Sequence, residues 1–400
     1  MEHGEQQQER SYQEIQSLAA ALACLSLLYI LLPRLPRGPP RLFCVLPCLP
    51  ILAVVPFSTR LHFPRSVVSF LFVWVCPTKL LLRCWGITPD YPGDGLVYFL
   101  ATSLMPLRVK GRSYPCKDGS KPTLVSTIQG VLVLPLLQLL FFYATLNVAW
   151  HPSIPSQVRE LLYCLLVYFG LEGVLGLFSG FVSVLLGLEL HPFFDKPFFA
   201  SSLSEFWGRR WNCLVSYMLR ETVYVPLVHF FSAGKMQHGT SMYLSDGKTC
   251  QKGETDASKG MQEMVATRGK EFQRAGRIPL LARALALLAS FIVSGLFHEL
   301  LFYIITQTRA TGEVTMFFVL HGVVNILEVF IRRKFPNRRK LPRPIAIICT
   351  LTFIYFTAAW LFMPPITQSG ADLRLLAEFH HVQIVVVDFM SRCQGIVTNV

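Results

Sequence analysis

Long apolar runs constrain this chain more than any other feature. Stretches near 17–32, 42–57, 66–82, 124–150, 160–190, 280–305, 314–331 and 344–364 are almost free of charge. About 20 apolar residues suffice to cross a bilayer as a helix. In lipid the backbone must satisfy its own hydrogen bonds, so runs of this kind fold as helices. The sequence therefore predicts an all-α, multi-pass transmembrane protein with about eight spans. Composition agrees: 15% of the 400 residues are charged and 52% are apolar, against about 25% charged in soluble domains. The opening MEHGEQQQERSYQEIQ is polar and acidic, the wrong flank for a cleaved signal peptide. The run at 17–32 is accordingly read as a retained span behind a polar tail of residues 1–16. Residues 17–365 form the transmembrane domain, and 366–400 are read as a C-terminal tail.

The net charge of +13 could suggest nucleic acid, but the basic residues are gathered in short segments between apolar runs. RLPRGPPR (34–41), RVKGRSYPCKDGSK (108–121) and RRKFPNRRKLPR (332–343) are the main ones. The positive-inside rule assigns such segments to the cytosol, and no basic helix or aromatic platform points to nucleic acid. This topology puts SSLSEFWGRRWN (201–212) on the cytosolic side. It also requires that 213–232, with Arg220, Glu221 and Pro226, be re-entrant or surface-lying rather than crossing. Residues 234–279, rich in Gly, Ser, Thr, Lys and Glu, read as a largely disordered cytosolic loop. Its last third suits a short amphipathic helix. The eleven cysteines are scattered, with no C-x-x-C pair, so neither a disulfide framework nor a metal site is expected.

Ionisable residues inside spans are costly and mark candidate sites. FIVSGLFHELLFYI (291–304) places His298 and Glu299 deep in an apolar helix. There Ser294, His298 and Phe302 share a face, and Gly295 permits close approach of a neighbour. VLHGVVNILEVF adds His321 and Glu328 from the next span. Both histidines lie about seven residues from the lumenal ends of their spans, at similar depth. A buried neutral imidazole can act as a general base, and a site that excludes water protects an activated acyl group from hydrolysis. That logic selects acyl transfer to a lipid hydroxyl without excluding proton transport. His321 is the more structural of the two histidines. Glu299 either orients His298 or bonds elsewhere, and Glu172 reads as a packing or polar-lining residue.

PFFASSLSEFWGRRWN (197–212), FIVSGLFHELLFY (291–303) and LHGVVNILE (320–328), in this order, resemble the plant wax synthase branch of the membrane-bound O-acyltransferases. The resemblance covers roughly residues 10 to 365. It implies that His298 is the catalytic base and Asn212 the second functional residue. It also implies that a fatty acyl group passes from acyl-CoA to a long-chain fatty alcohol or, in close relatives, a sterol. No cofactor is implied beyond acyl-CoA as co-substrate, and the setting is the bilayer of the endoplasmic reticulum. Glu205 departs from the family pattern, which has aspartate there, and the polar stretch 234–279 is an insertion. Arg209 and Arg210 then read either as contacts to CoA phosphates or as interfacial anchors. Trp207 and Trp211, four apart, are expected on one helical face as scaffold. Asn212 could donate to the thioester carbonyl or position the pantetheine arm. Three readings follow: a wax-ester synthase, an acyltransferase of the same type acting on a sterol or other lipid alcohol, and a non-enzymatic transporter with buried proton-relay residues.

Overall fold

The computed structural model describes residues 2–88, 95–109, 133–188, 190–233, 279–336 and 341–398. The expected loop over 234–278, most of the basic stretch 108–121 and the start of the run 124–150 lie outside the described residues. Every regular element among them is helical, save one antiparallel bridge between Val109 and Leu190. In chain order the helices are α1 (Glu2–Leu31), α2 (Pro39–Ser58), α3 (His62–Cys84), α4 (Leu96–Leu104), α5 (Leu134–Trp150) and α6 (Ser156–Leu186). There follow α7 (213–233), α8 (Leu280–Thr306), α9 (Glu313–Lys334), α10 (Arg343–Gln368) and α11 (Ala371–Thr398).

Seven of the described helices are long and apolar enough to cross a bilayer: α1 from Ser11 onward, α2, α3, α6, α8, α9 and α10. Helix α5 is a shorter apolar one, and these eight correspond to the eight apolar runs. Helix α7, which carries the ion pair Arg220–Glu221, is not among the seven. Two differences appear at the chain ends. The polar opening is helical from Glu2 because Glu, Gln and Arg propagate a helix well. Glu14 and Ser17 also find partners at the end of α2, in the Arg60 amide (3.1 Å) and the Ser58 hydroxyl (2.7 Å). Residues 371–398, read as tail, form α11.

Helix α3 is the centre of the assembly. Two-thirds of its apolar window is buried, 67% against 22–33% in the other six. One side packs with α1, α2 and α4 through Leu25, Leu28, Leu52, Leu80 and Phe99. The other side packs with α6, α7 and α8 through Trp74, Leu175, Met218 and Leu301. A widened, π-type turn at Phe70–Val75 changes the facing of α3 midway, the usual consequence of an inserted residue in a helix.

Two close helix pairs complete the frame. At Gly295 of α8 a Cβ would fall 2.9 Å from the Thr315 Cα, so only glycine lets α9 approach this near. At Gly173 of α6 a Cβ would fall 2.8 Å from a Leu139 side-chain carbon of α5. Small residues at helix contacts are the usual route to tight packing in lipid. The described parts of the basic segments lie at one end, where α3 and α4 finish. The Gly38 amide donates to the Cys84 carbonyl (2.7 Å), and the His191 amide to the Arg108 carbonyl (2.9 Å). Lys79 of α3 reaches the Thr102 carbonyl (2.9 Å) near the C-terminus of α4, where a cation complements the helix dipole.

Candidate functional site

The segment 197–212 enters the helical body instead of lying over it. The Ser202 hydroxyl accepts from the Glu205 amide (3.1 Å) and caps a single helical turn, Leu203–Glu205. A wide turn, Phe206–Arg210, follows. Helix α9 receives this turn along one stripe. Ser204 Oγ donates to Asn325 Oδ1 (2.6 Å), the Ser204 amide donates to Glu328 Oε2 (3.2 Å), and Trp207 Nε1–H donates to His321 Nδ1 (3.0 Å). Positions 321, 325 and 328 are spaced i, i+4, i+7, one face of a helix. His321 lies thirteen residues before Lys334, about 20 Å by the helical rise. The tryptophan at the tip of the turn therefore sits well inside the bundle.

The two tryptophans do not share a face, contrary to expectation. Trp211 is extended (φ −93°, ψ 124°), which breaks the helical spacing from Trp207. Trp207 faces Phe291, Phe317, Phe318 and His321. Trp211 stacks on Phe206 (5.3 Å) and meets Phe194 edge-on (5.1 Å). Both are scaffold, in two different aromatic clusters.

The histidines stand at matched depth, each eight residues from the connection between α8 and α9, yet their environments differ. His321 is fully buried. Because the Trp207 indole can only donate, Nδ1 of His321 is the acceptor and Nε2 carries the hydrogen. Nε2–H then donates to Thr357 Oγ1 (2.8 Å), whose hydroxyl donates to the Phe353 carbonyl (2.7 Å). Both ring nitrogens are committed, and the ring is a strut between the inserted segment, α9 and α10. His298 is only partly buried. Its Nδ1 lies 2.8 Å from the Ser294 carbonyl of its own helix. A carbonyl only accepts, so Nδ1 carries the hydrogen and Nε2 keeps its lone pair. No protein group among the described residues hydrogen-bonds that nitrogen. The ring lies in an aromatic wall: Phe318 stacked at 4.3 Å, the edge of Trp74 at 4.7 Å and Phe362 at 5.9 Å. Phe318 also meets Trp207 at 5.6 Å, so one ring separates the inserted segment from His298.

Glu299 turns away from its neighbour. Its carboxylate accepts from the amides of Gly312 (2.7 Å) and Thr315 (3.0 Å) and from the Thr315 hydroxyl (3.1 Å). It caps the N-terminus of α9, where a negative charge is favourable, and the orienting group for His298 is the Ser294 carbonyl.

At the far end of the inserted segment the adjacent arginines part company. Arg210 is spent within the protein. It donates to Glu205 Oε1 from Nε (2.8 Å) and Nη2 (2.6 Å), and from Nη1 to the carbonyls of Asp195 (2.8 Å) and Lys196 (3.2 Å). Burial pushes the Glu205 carboxyl up, but hydrogen bonds from Ser201 and Arg210 and the arginine charge outweigh it and hold it down at about 2. Arg209 is exposed, and its side chain has no partner among the described residues. Asn212 is left-handed (φ 40°, ψ 67°), and its Oδ1 accepts from the Val215 amide (3.2 Å) to cap α7. The cap uses the acceptor, so both Nδ2 hydrogens remain unspent among the described residues. No hydrogen bond joins Asn212 to His298. Asn325 and Thr357, which hold the assembly together, were not singled out from the sequence. The polar 321/325/328 stripe on an apolar helix was the available signal.

Comparison with known proteins adds a second line. The model of the "Membrane bound O-acyl transferase family" matches residues 190–245, which contain the inserted segment. A long-chain-alcohol O-fatty-acyltransferase of Simmondsia chinensis is 30% identical over 342 residues, 85% of this chain and 85% of the relative. An acyl-CoA–sterol O-acyltransferase of Arabidopsis thaliana is 29% identical over 356 residues, 87% and 88% of the two chains. A probable long-chain-alcohol O-fatty-acyltransferase of the same plant is 30% identical over 343 residues, covering 84% and 86%.

Proposed function

The chain belongs to the membrane-bound O-acyl transferase family, and from that premise and the site geometry we propose that it transfers a fatty acyl group from acyl-CoA to a long-chain alcohol, giving a wax ester and free CoA. It is a multi-pass membrane enzyme, and family membership sets aside the reading of its buried histidines as a transporter's proton relay. We place its action at the endoplasmic reticulum membrane, where the CoA thioester arrives from the cytosol.

The observation that carries the mechanism is the tautomer of His298. With Nδ1–H held by the Ser294 carbonyl, Nε2 is a free lone pair in an aromatic wall. In the proposed step it takes the proton of the acceptor hydroxyl while that oxygen attacks the thioester carbonyl carbon. The tetrahedral centre collapses, the carbon–sulfur bond breaks, and the imidazolium returns its proton to the CoA thiolate. General-base help of this kind contributes roughly 10²- to 10⁴-fold. The unspent Nδ2 hydrogens of Asn212 suit the carbonyl oxygen as negative charge grows on it. Loss of such a donor costs about 3–4 kcal/mol. No serine or cysteine nucleophile hydrogen-bonds His298 among the described residues, so in this mechanism the acyl group passes directly from CoA to the alcohol.

A sterol acceptor is the second reading, favoured by the sterol-acylating relative that matches over most of its length. Labelled acyl-CoA supplied with 1-hexadecanol, sterol and diacylglycerol in parallel, to membranes holding this protein, separates the two. Wax ester as the main labelled product is expected. A sterol ester as the main product would move the enzyme to the second reading. His298→Ala should reduce ester formation at least a hundredfold with the protein still inserted. Near-normal turnover in that variant would remove His298 from the mechanism.

A further inference from the structure

Arg108, the first residue of the basic segment 108–121, stands about a hundred residues before Asn212, yet the backbone brings it to the same place. The His191 amide donates to the Arg108 carbonyl (2.9 Å), the Cys213 amide to the Phe193 carbonyl (2.7 Å), and the Asp195 amide to the Arg210 carbonyl (2.9 Å). Three strands of loop are thus stapled side by side at the basic end of the bundle. Cys213, the residue after Asn212, feels the charges of both Arg108 and Asp195.

The Arg108 guanidinium lies 4.4 Å over the ring centre of Tyr217 on α7. This cation–π contact fixes its position without using its N–H donors. The side chain is partly exposed, and no carboxylate or carbonyl among the described residues accepts from it. Arg209 and Lys196 are exposed and equally unpaired. Asp195, the carboxylate nearest by sequence, forms no ion pair with any of the three. Lys196 is left-handed (φ 47°), an unfavourable conformation for a residue with a side chain. Arg210 grips the carbonyls on either side of that bend. Only three non-glycine residues among those described have positive φ, and Lys196 and Asn212 are two of them. Strain of this kind concentrates where a side chain must be aimed at a ligand.

We propose that Arg108 binds a phosphate of the acyl-CoA substrate, with Lys196 and Arg209 completing a three-cation cradle beside Asn212. Guanidinium and phosphate match in charge and in bidentate geometry. The assignment rests on the acyl-CoA reading above. A phospholipid headgroup offers the same phosphate chemistry, so the test must distinguish the two sources.

Purified protein in pure phosphatidylcholine vesicles would be assayed with palmitoyl-CoA and with palmitoyl-pantetheine, which lacks the phosphates, using 1-hexadecanol as acceptor. Arg108→Ala should raise KM for palmitoyl-CoA about tenfold and leave palmitoyl-pantetheine kinetics unchanged, and Arg108→Lys should fall between. An equal loss with both thioesters, or no change with either, overturns the proposal, and the pantetheine arm also reports misfolding. A defect seen only when phosphatidylserine is added would assign Arg108 to lipid and overturn the CoA contact. Calorimetric binding of CoA tests the residue without turnover: about tenfold weaker binding in Arg108→Ala is expected, and unchanged binding rejects it. Wild-type protein that binds CoA but makes no ester would sink the acyl-transfer reading alone.

Discussion

Arg209 and Arg210 are neighbours in sequence with separable tasks, and single substitutions should show it. Arg210 makes two hydrogen bonds to Glu205 and two to backbone carbonyls. Arg210→Ala should therefore lower the melting temperature, because hydrogen bonds to charged groups are worth roughly 1.5–3 kcal/mol. Arg209→Ala removes no side-chain hydrogen bond or ion pair among the described residues. It should leave melting unchanged and raise KM for acyl-CoA several-fold, whereas an unchanged KM would return Arg209 to an interfacial anchor. The pair could not be divided from sequence, since what spends Arg210 is a turn that carries Glu205 back to it. Glu205 adds a pH signature. Its folded value of about 2 lies below its ordinary 4.5. The stabilisation is complete above that ordinary value and is lost as pH falls toward 2. Thermal melts at pH 6 and pH 3 should show a smaller acid loss in Glu205→Gln than in the wild type. Equal losses would detach the Glu205 clamp from acid stability.

The elements themselves were legible because lipid leaves a chain few options. Uninterrupted apolar runs must be helices, and each of the eight runs is helical over its described residues. What could not be read was how the helices are modified. The wide turns at Phe70–Val75 and Phe206–Arg210 have no compositional signature, and the second separates Trp207 from Trp211. The stripe of His321, Asn325 and Glu328 on α9 was visible as spacing, but its partner was a segment more than a hundred residues earlier. The close approach at Gly295 was legible, and the distance to Thr315 makes it quantitative. Gly295→Val would drive new carbons into the α9 backbone, and overpacking of this sort costs about 1–3 kcal/mol. It should lower the melting temperature and also the activity, because α8 and α9 carry His298 and the rings beside it. A stable, fully active Gly295→Val would mean that the two helices separate without cost to the site.

At the scale of the whole molecule, α11 ties together elements far apart in the chain at the end opposite the basic one. The Tyr163 hydroxyl of α6 donates to Asp372 Oδ2 (2.9 Å), and His380 stacks on Trp150 at the end of α5 (5.0 Å). Phe379 meets both Phe63 of α3 (4.8 Å) and Phe142 of α5 (5.0 Å). Glu378 makes the most specific tie. It accepts from the amides of His62 (2.6 Å) and Phe63 (3.0 Å) and from Nδ1 of the His62 ring (2.8 Å). It thereby caps the first turn of α3, the most buried helix of the bundle. None of these residues hydrogen-bonds His298, Asn212 or Arg209, so the tie serves the frame and not the reaction. Glu378→Gln keeps the shape but weakens a charged cap, a change worth about 0.5–2 kcal/mol. The expected result is a lower melting temperature with unchanged kcat and KM per folded molecule. A fall in kcat at unchanged melting temperature would instead make α11 part of the working site, reached through α3 and Trp74.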